Sequence, residues 1–99
     1  MITQITAADL QTLMASGSPI TLIDVRELEE HAQFNIGGLL APLSELNDHL
    51  EKFNSPYPVI VYCKKGIRSV IAIQRLLTKN SALNLINLQG GVEAWKNIL

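Results

Sequence analysis

The sequence predicts an α/β domain of three layers, a parallel sheet of about five strands with helices on both faces. Three observations carry this. Short apolar runs alternate with helix-patterned stretches along the whole chain. The runs Ile20–Val25 and Val59–Cys63 are almost continuously apolar, as strands covered on both faces are. Turn signals, Ser16-Gly17-Ser18-Pro19, Ser55-Pro56 and Gly90-Gly91, separate the elements. With 99 residues and no repeat or linker, the chain reads as one domain over 1–99.

The elements follow in order. Ile2 to Ile5 is a short first strand. Thr6 is placed to cap a helix through Met14, with Leu10, Leu13 and Met14 on one face. Ile20 to Val25 is a buried strand, and Glu27 to Gln33 a short acidic helix. Leu39 to Leu43 adds a brief strand interrupted by Pro42. Ser44 is expected to cap a helix to Phe53. The strand Val59–Cys63 leads through a loop into a helix from Ser69 to Lys79. Asn84 to Leu88 is the last strand, and Val92 to Ile98 the last helix. Reactive groups of such sheets gather at the carboxyl ends of the strands, where Asp24 and Cys63 both fall.

Composition narrows the function. A hydrophobic fraction of 47% supports one compact core, and a net charge of −1 gives no reason to expect a nucleic-acid or anionic-membrane partner. No run approaches the roughly 20 apolar residues of a membrane span. Met1 to Gln4 lacks the basic start of a secretory signal, and a single cysteine forms no internal disulfide. The expectation is a cytoplasmic protein. His31 and His49 stand in no ligand-spaced pair, so no metal or other cofactor is expected.

Cys63 opens the segment Cys63-Lys64-Lys65-Gly66-Ile67-Arg68-Ser69, between a strand and a helix. A helix start offers free N–H groups and partial positive charge, which favour a thiolate or an anion. A free thiol titrates near about pH 8.5, and the thiolate is the nucleophile. No histidine neighbours Cys63, so activation must come from Lys64, Lys65, Arg68 and the loop amides. Gly66 permits a positive φ that turns successive N–H groups inward. Ser69 is placed to cap the helix and to donate towards the sulfur. Such a cradle suits a thiolate, a persulfide or a small sulfur-containing anion. Each piece also has a plain reading: a buried small cysteine, a solvated lysine pair, a turn glycine. Their combination favours chemistry.

The loop resembles the active-site loop of the rhodanese family of sulfurtransferases, whose Cys-x-x-Gly-x-Arg-Ser/Thr pattern is met by Cys63, Gly66, Arg68 and Ser69. Asp24-Val25-Arg26-Glu27 is similar to the family's Asp-Val-Arg-Glu segment. Leu88-Gln89-Gly90-Gly91 through Trp95 is similar to its C-terminal Leu-x-Gly-Gly-x-x-x-Trp. The three blocks keep the family's order over nearly the whole chain. The resemblance implies a rhodanese-like fold with a five-stranded parallel sheet and a persulfide on Cys63. One stretch departs from the pattern. Where many members carry Gly-His-Ile-Pro-Gly-Ala, this chain has Phe34-Asn35-Ile36-Gly37-Gly38-Leu39, and the following stretch is one residue shorter. This variant is similar to rhodanese domains fused to enzymes that activate ubiquitin-like sulfur carriers, which implies sulfur relay to a protein.

Related phosphatases and arsenate-reducing relatives carry Cys-x5-Arg, whereas Arg68 gives Cys-x4-Arg here. The shorter loop has room for a sulfur atom on Cys63 and little for a tetrahedral phosphate. The expected activity is sulfur transfer by double displacement from a donor such as thiosulfate. Two alternatives are a persulfide carrier, loaded by a desulfurase and unloaded by a protein acceptor, and a non-catalytic module. Asp24 and Arg26 are expected to support the site, Asp24 by holding loop N–H groups, Arg26 by pairing with an acid or facing the entrance. Ile67 either docks an acceptor or packs inward. Glu27, Glu29 and Glu30 are expected on a solvated face, and Trp95 is expected to pack the last helix. The sequence carries no signal for an oligomeric state.

Overall fold

The computed structural model describes residues 1–99. The chain order is β1 (Thr3–Ile5), α1 (Ala7–Ala15), β2 (Thr21–Asp24), α2 (Leu28–Gln33), β3 (Leu39–Leu40), a 3₁₀ segment (Leu43–Phe53), β4 (Val59–Tyr62), α3 (Ile67–Lys79), β5 (Leu85–Leu88) and α4 (Gly91–Asn97). The five strands form one sheet in the order β1-β5-β4-β2-β3, every pairing parallel. No helix is long and apolar enough to cross a membrane.

Side chains alternate across a strand, so each apolar run feeds two cores. Ile23, Val59, Val61 and Cys63 join Ala72, Ile73 and Leu76 of α3 with Leu46 and Phe53. Leu22, Ile60, Tyr62 and Leu88 join Ala7 and Leu10 of α1 and Val92 of α4. The period of two places Cys63 on the α3 side and Tyr62 on the other. Asn87 is in register with Val61 on the neighbouring strand.

Several expected boundaries move. Thr6 caps α1 as expected, its hydroxyl accepting from the Asp9 N–H at 3.1 Å. The third strand ends at Leu40 rather than Leu43. Ala41 and Leu43 still donate to Asp24 and Val25 carbonyls at 2.8 and 3.0 Å. Ser44 caps nothing: its hydroxyl donates to the Glu27 carboxylate at 3.0 Å. The stretch it opens is 3₁₀, broken at Glu45 and His49, not the expected α-helix. Ser, Asn, Asp and His are indifferent helix formers and crowd this segment. Cys63 lies one residue past β4, and α3 begins at Ile67, two residues before the expected start at Ser69.

Candidate active site

β4 delivers Cys63 to the carboxyl edge of the sheet, and the chain then turns at Gly66, whose φ is +91°. This left-handed conformation is open to glycine and strained for other residues. The turn aims two amides at the thiol: Gly66 N–H donates to Cys63 Sγ at 3.1 Å and Ser69 N–H at 3.4 Å. The Ser69 hydroxyl lies 3.3 Å from the same sulfur. Cys63 is only 1% exposed, at the floor of a pocket of about 250 Å³ lined also by Lys64, Lys65, Ile67 and Arg68. Ile67 itself is 66% exposed on the rim and does not pack inward.

α4 holds the loop from behind. Val92 N–H donates to the Cys63 carbonyl at 2.9 Å and Glu93 N–H to the Lys64 carbonyl at 3.0 Å. These are first-turn amides without partners in their own helix. The contact requires Gly91. A Cβ there would collide with the Cys63 carbonyl oxygen and stand 2.6 Å from the Lys64 carbonyl carbon. The Gly-Gly pair thus permits a turn and also a close backbone approach beneath Cys63.

The charges are arranged differently from the sequence expectation. Arg68 is bound to Glu30 of α2 through two hydrogen bonds, 2.7 and 2.9 Å. The bonds from Arg68 hold the Glu30 carboxyl down at about 2. Glu30's own bonds raise the Arg68 pKa further. Glu30 is therefore not a free member of a solvated face. The cations left unpaired at the pocket are Lys64 and Lys65.

Asp24 and Arg26 form a buried support beside the site. Asp24 is fully buried and accepts from the Arg26 backbone N–H at 3.0 Å, from the Arg26 guanidinium at 2.8 Å and from His31 Nδ1 at 2.9 Å. Burial works against the Arg26 charge, yet the bond and charge of Asp24 outweigh it and raise its pKa. Arg26 also donates to the Phe34 carbonyl, tying the loop after α2 to the sheet edge. Arg26 and Lys64 share a second, wider pocket of about 470 Å³ with Lys96 and Phe34. Tyr62 fixes the next stretch of that loop, accepting from Ile36 N–H at 3.2 Å and donating to the Gly37 carbonyl at 2.9 Å.

Two participants escape the sequence reading. His31 orients Asp24. Asn87 of β5, 2% exposed, accepts from the Ser69 hydroxyl. Its signal is a lone amide in the apolar strand Leu85-Ile86-Asn87-Leu88.

The Cys63 sulfur is held under backbone amides at a strand-to-helix turn, a geometry that favours negative charge on the sulfur. The chain belongs to the rhodanese family: the family model described as "Rhodanese-like domain" matches residues 6–98. It is 39% identical over 75 residues to YqhL of Bacillus subtilis, covering 75% of this chain and 59% of that protein. It is 35% identical to a probable adenylyltransferase/sulfurtransferase, MoeZ of Mycobacterium tuberculosis, covering 92% of this chain and 24% of the relative. A thiosulfate sulfurtransferase, GlpE of Coxiella burnetii, is 32% identical over 78% of this chain and 72% of its own length. The chain thus spans 59% and 24% of the lengths of the first two relatives, less than two thirds of either. Among solved structures, a rhodanese-like domain protein from Staphylococcus aureus superposes with a TM-score of 0.83 at 27% identity, covering 95% of this chain and 91% of that one. Sulfurtransferases thus stand among its relatives, and the five-stranded parallel sheet between helices is the family's fold.

Proposed function

We propose that this domain transfers sulfane sulfur through a persulfide on Cys63. The observation that carries the reading is the convergence of the Gly66 and Ser69 amides on Cys63 Sγ. Donors fixed around one sulfur stabilise a negative charge there without reorganisation. In the first half-reaction the Cys63 thiolate attacks the outer sulfur of a donor such as thiosulfate. The S–S bond breaks and sulfite leaves with the electron pair. Lys64 and Lys65 favour the anionic donor and its leaving group. In the second half-reaction an acceptor nucleophile takes the outer sulfur, and the Cys63 thiolate is regenerated. Asp24, Arg26 and Ile67 lie outside these steps: the first two brace the loop, and Ile67 offers an apolar contact at the rim. The lone free thiol suits a reducing, cytoplasmic setting. Incubation with thiosulfate and cyanide tests the reading. Thiocyanate formed with ping-pong kinetics is expected, and Cys63→Ser abolishes it while the fold remains; full turnover by that variant contradicts the mechanism.

A second reading, a carrier that relays sulfur between proteins, is favoured by one observation. Arg68 is paired with Glu30 and the Cys63 sulfur is recessed, so a free anion meets one cation fewer at the loop. Likeness to the adenylyltransferase/sulfurtransferase relative points the same way. Negligible thiocyanate formation, with Cys63 still persulfidated by a cysteine desulfurase, selects this reading.

A further inference from the structure

Behind the thiol runs a buried chain of polar groups. Cys63 Sγ faces the Ser69 hydroxyl at 3.3 Å, and that hydroxyl also meets Asn87 Oδ1. Asn87 Nδ2 points to Gln4 Oε1 at 2.8 Å and to the Gly66 carbonyl at 3.5 Å. Ser69 and Asn87 are 0% and 2% exposed, so water does not compete for these groups. The orientation of the amide follows from its neighbours. A backbone carbonyl only accepts, so the NH₂ side of Asn87 must face Gly66, which leaves Oδ1 facing Ser69. A carboxamide oxygen also only accepts. The single Ser69 proton is therefore directed to Asn87, and Ser69 presents a lone pair to the sulfur. That arrangement suits an S–H donor and opposes a thiolate. The Ser69 hydroxyl can stabilise a Cys63 thiolate only by turning its proton from Asn87 to the sulfur.

We infer that Asn87 is a positioning residue: by competing with the sulfur for the one Ser69 proton, it sets how readily Cys63 enters its nucleophilic form. The inference rests on Cys63 being the reactive thiol of the proposed function, and on nothing about donor or acceptor. Asn87 touches neither the pocket nor a bound group; it acts through Ser69. Other charges around the thiol are Lys64, Lys65 and Arg68 of its own loop, Glu30 of α2 bound to Arg68, Asp24 and Arg26 at the end of β2, and Glu93 of α4, whose amide holds the Lys64 carbonyl. Replacement of Asn87 by an uncharged residue leaves all of them in place.

The test is the pH profile of Cys63 alkylation by iodoacetamide, which needs no sulfur transfer. In Asn87→Leu the Ser69 proton is free for the thiolate, and the profile midpoint falls by about one pH unit. In the Ser69→Ala background the same Leu substitution leaves the midpoint in place. An unchanged midpoint in Asn87→Leu, or an equal shift in both backgrounds, overturns the inference. A measurement on the unaltered Asn87 stands beside it should the Leu variant not fold. The Asn87 side-chain amide resonances shift with pH at the alkylation midpoint, and this shift is lost in Ser69→Ala. A shift that survives in Ser69→Ala reports only the distant charge, and counts against the inference. A Cys63 that neither thiosulfate nor a cysteine desulfurase persulfidates, with the alkylation shifts intact, instead removes the sulfur-transfer reading and leaves Asn87's role standing.

Discussion

Arg68 and Glu30 are joined by two parallel hydrogen bonds, Nη1 to Oε1 at 2.7 Å and Nη2 to Oε2 at 2.9 Å, which fasten the first turn of α3 to α2. A fork-to-fork pair of this kind fixes geometry as well as charge. It takes one cation away from the Cys63 loop and uses it to hold the loop's far side.

Glu30 titrates near 2 in the folded chain against an ordinary 4.5. A depressed carboxyl stabilises the fold above its unfolded value. The contribution is therefore complete above about pH 4.5 and disappears as the pH falls through about 2. Both side chains are roughly one-third exposed, so solvent screening limits it to about 1 kcal/mol or less. Glu30→Gln is expected to lower stability by that amount at pH 6 and to flatten the acid limb, read by urea unfolding at several pH values. Because the Arg68 charge is then uncompensated, KM for an anionic donor should also fall. An unaltered acid limb rules out the pair as its source.

Gly91 sits beneath Cys63 with φ +60°, and a Cβ there meets the Lys64 carbonyl at 2.6 Å. Gly91→Ala must push the loop outward or break the Val92 and Glu93 amide contacts. The expected cost is about 2–4 kcal/mol of stability, with loss of sulfur transfer exceeding the loss of folded protein. Thermal unfolding and activity per folded molecule separate the two effects. Unchanged stability contradicts the close approach.

Tyr62 is buried, and its hydroxyl is pushed up to about 12, first by burial and then by the Asp24 charge. Tyr62→Phe leaves the Ile36 N–H and Gly37 carbonyl without their partner, at a cost of about 1–3 kcal/mol. A raised phenol stabilises the fold in full below its ordinary value of 10.0, and loses that contribution as the pH rises through about 12. The Phe variant should thus show a shallower alkaline decline between pH 10 and 12. Spectrophotometric phenol titration with chemical unfolding checks both points, and an identical alkaline limb in the variant refutes the assignment.

What was readable in the chain and what was not divide along a physical line. The strand, glycine turn and helix around Cys63 are local features, written in the apolar run Val59–Tyr62 and in Gly66. The parallel sheet follows from strands apolar on both faces. The long-range partners were hidden. Arg68 and Glu30 stand 38 positions apart, and Ser69 and Asn87 18 apart, with no pattern linking either pair. From the sequence alone Arg68 therefore reads as an anion ligand, and Glu30 as a surface acid. Ser44 misled for a related reason. Its hydroxyl has two possible uses, and the choice of Glu27 over the local backbone is made by tertiary placement. Gly91 carried a turn signal, but the carbonyl it must clear belongs to a loop far earlier in the chain.

The central claim is that Cys63 carries the transferred sulfur, and intact-mass spectrometry after exposure to thiosulfate, without reductant, tests it most directly. A gain of one sulfur atom is expected, localised to Cys63, reversed by cyanide and absent in Cys63→Ser. A folded protein whose mass stays unchanged with thiosulfate and with a cysteine desulfurase, or a gain that persists in Cys63→Ser, contradicts it.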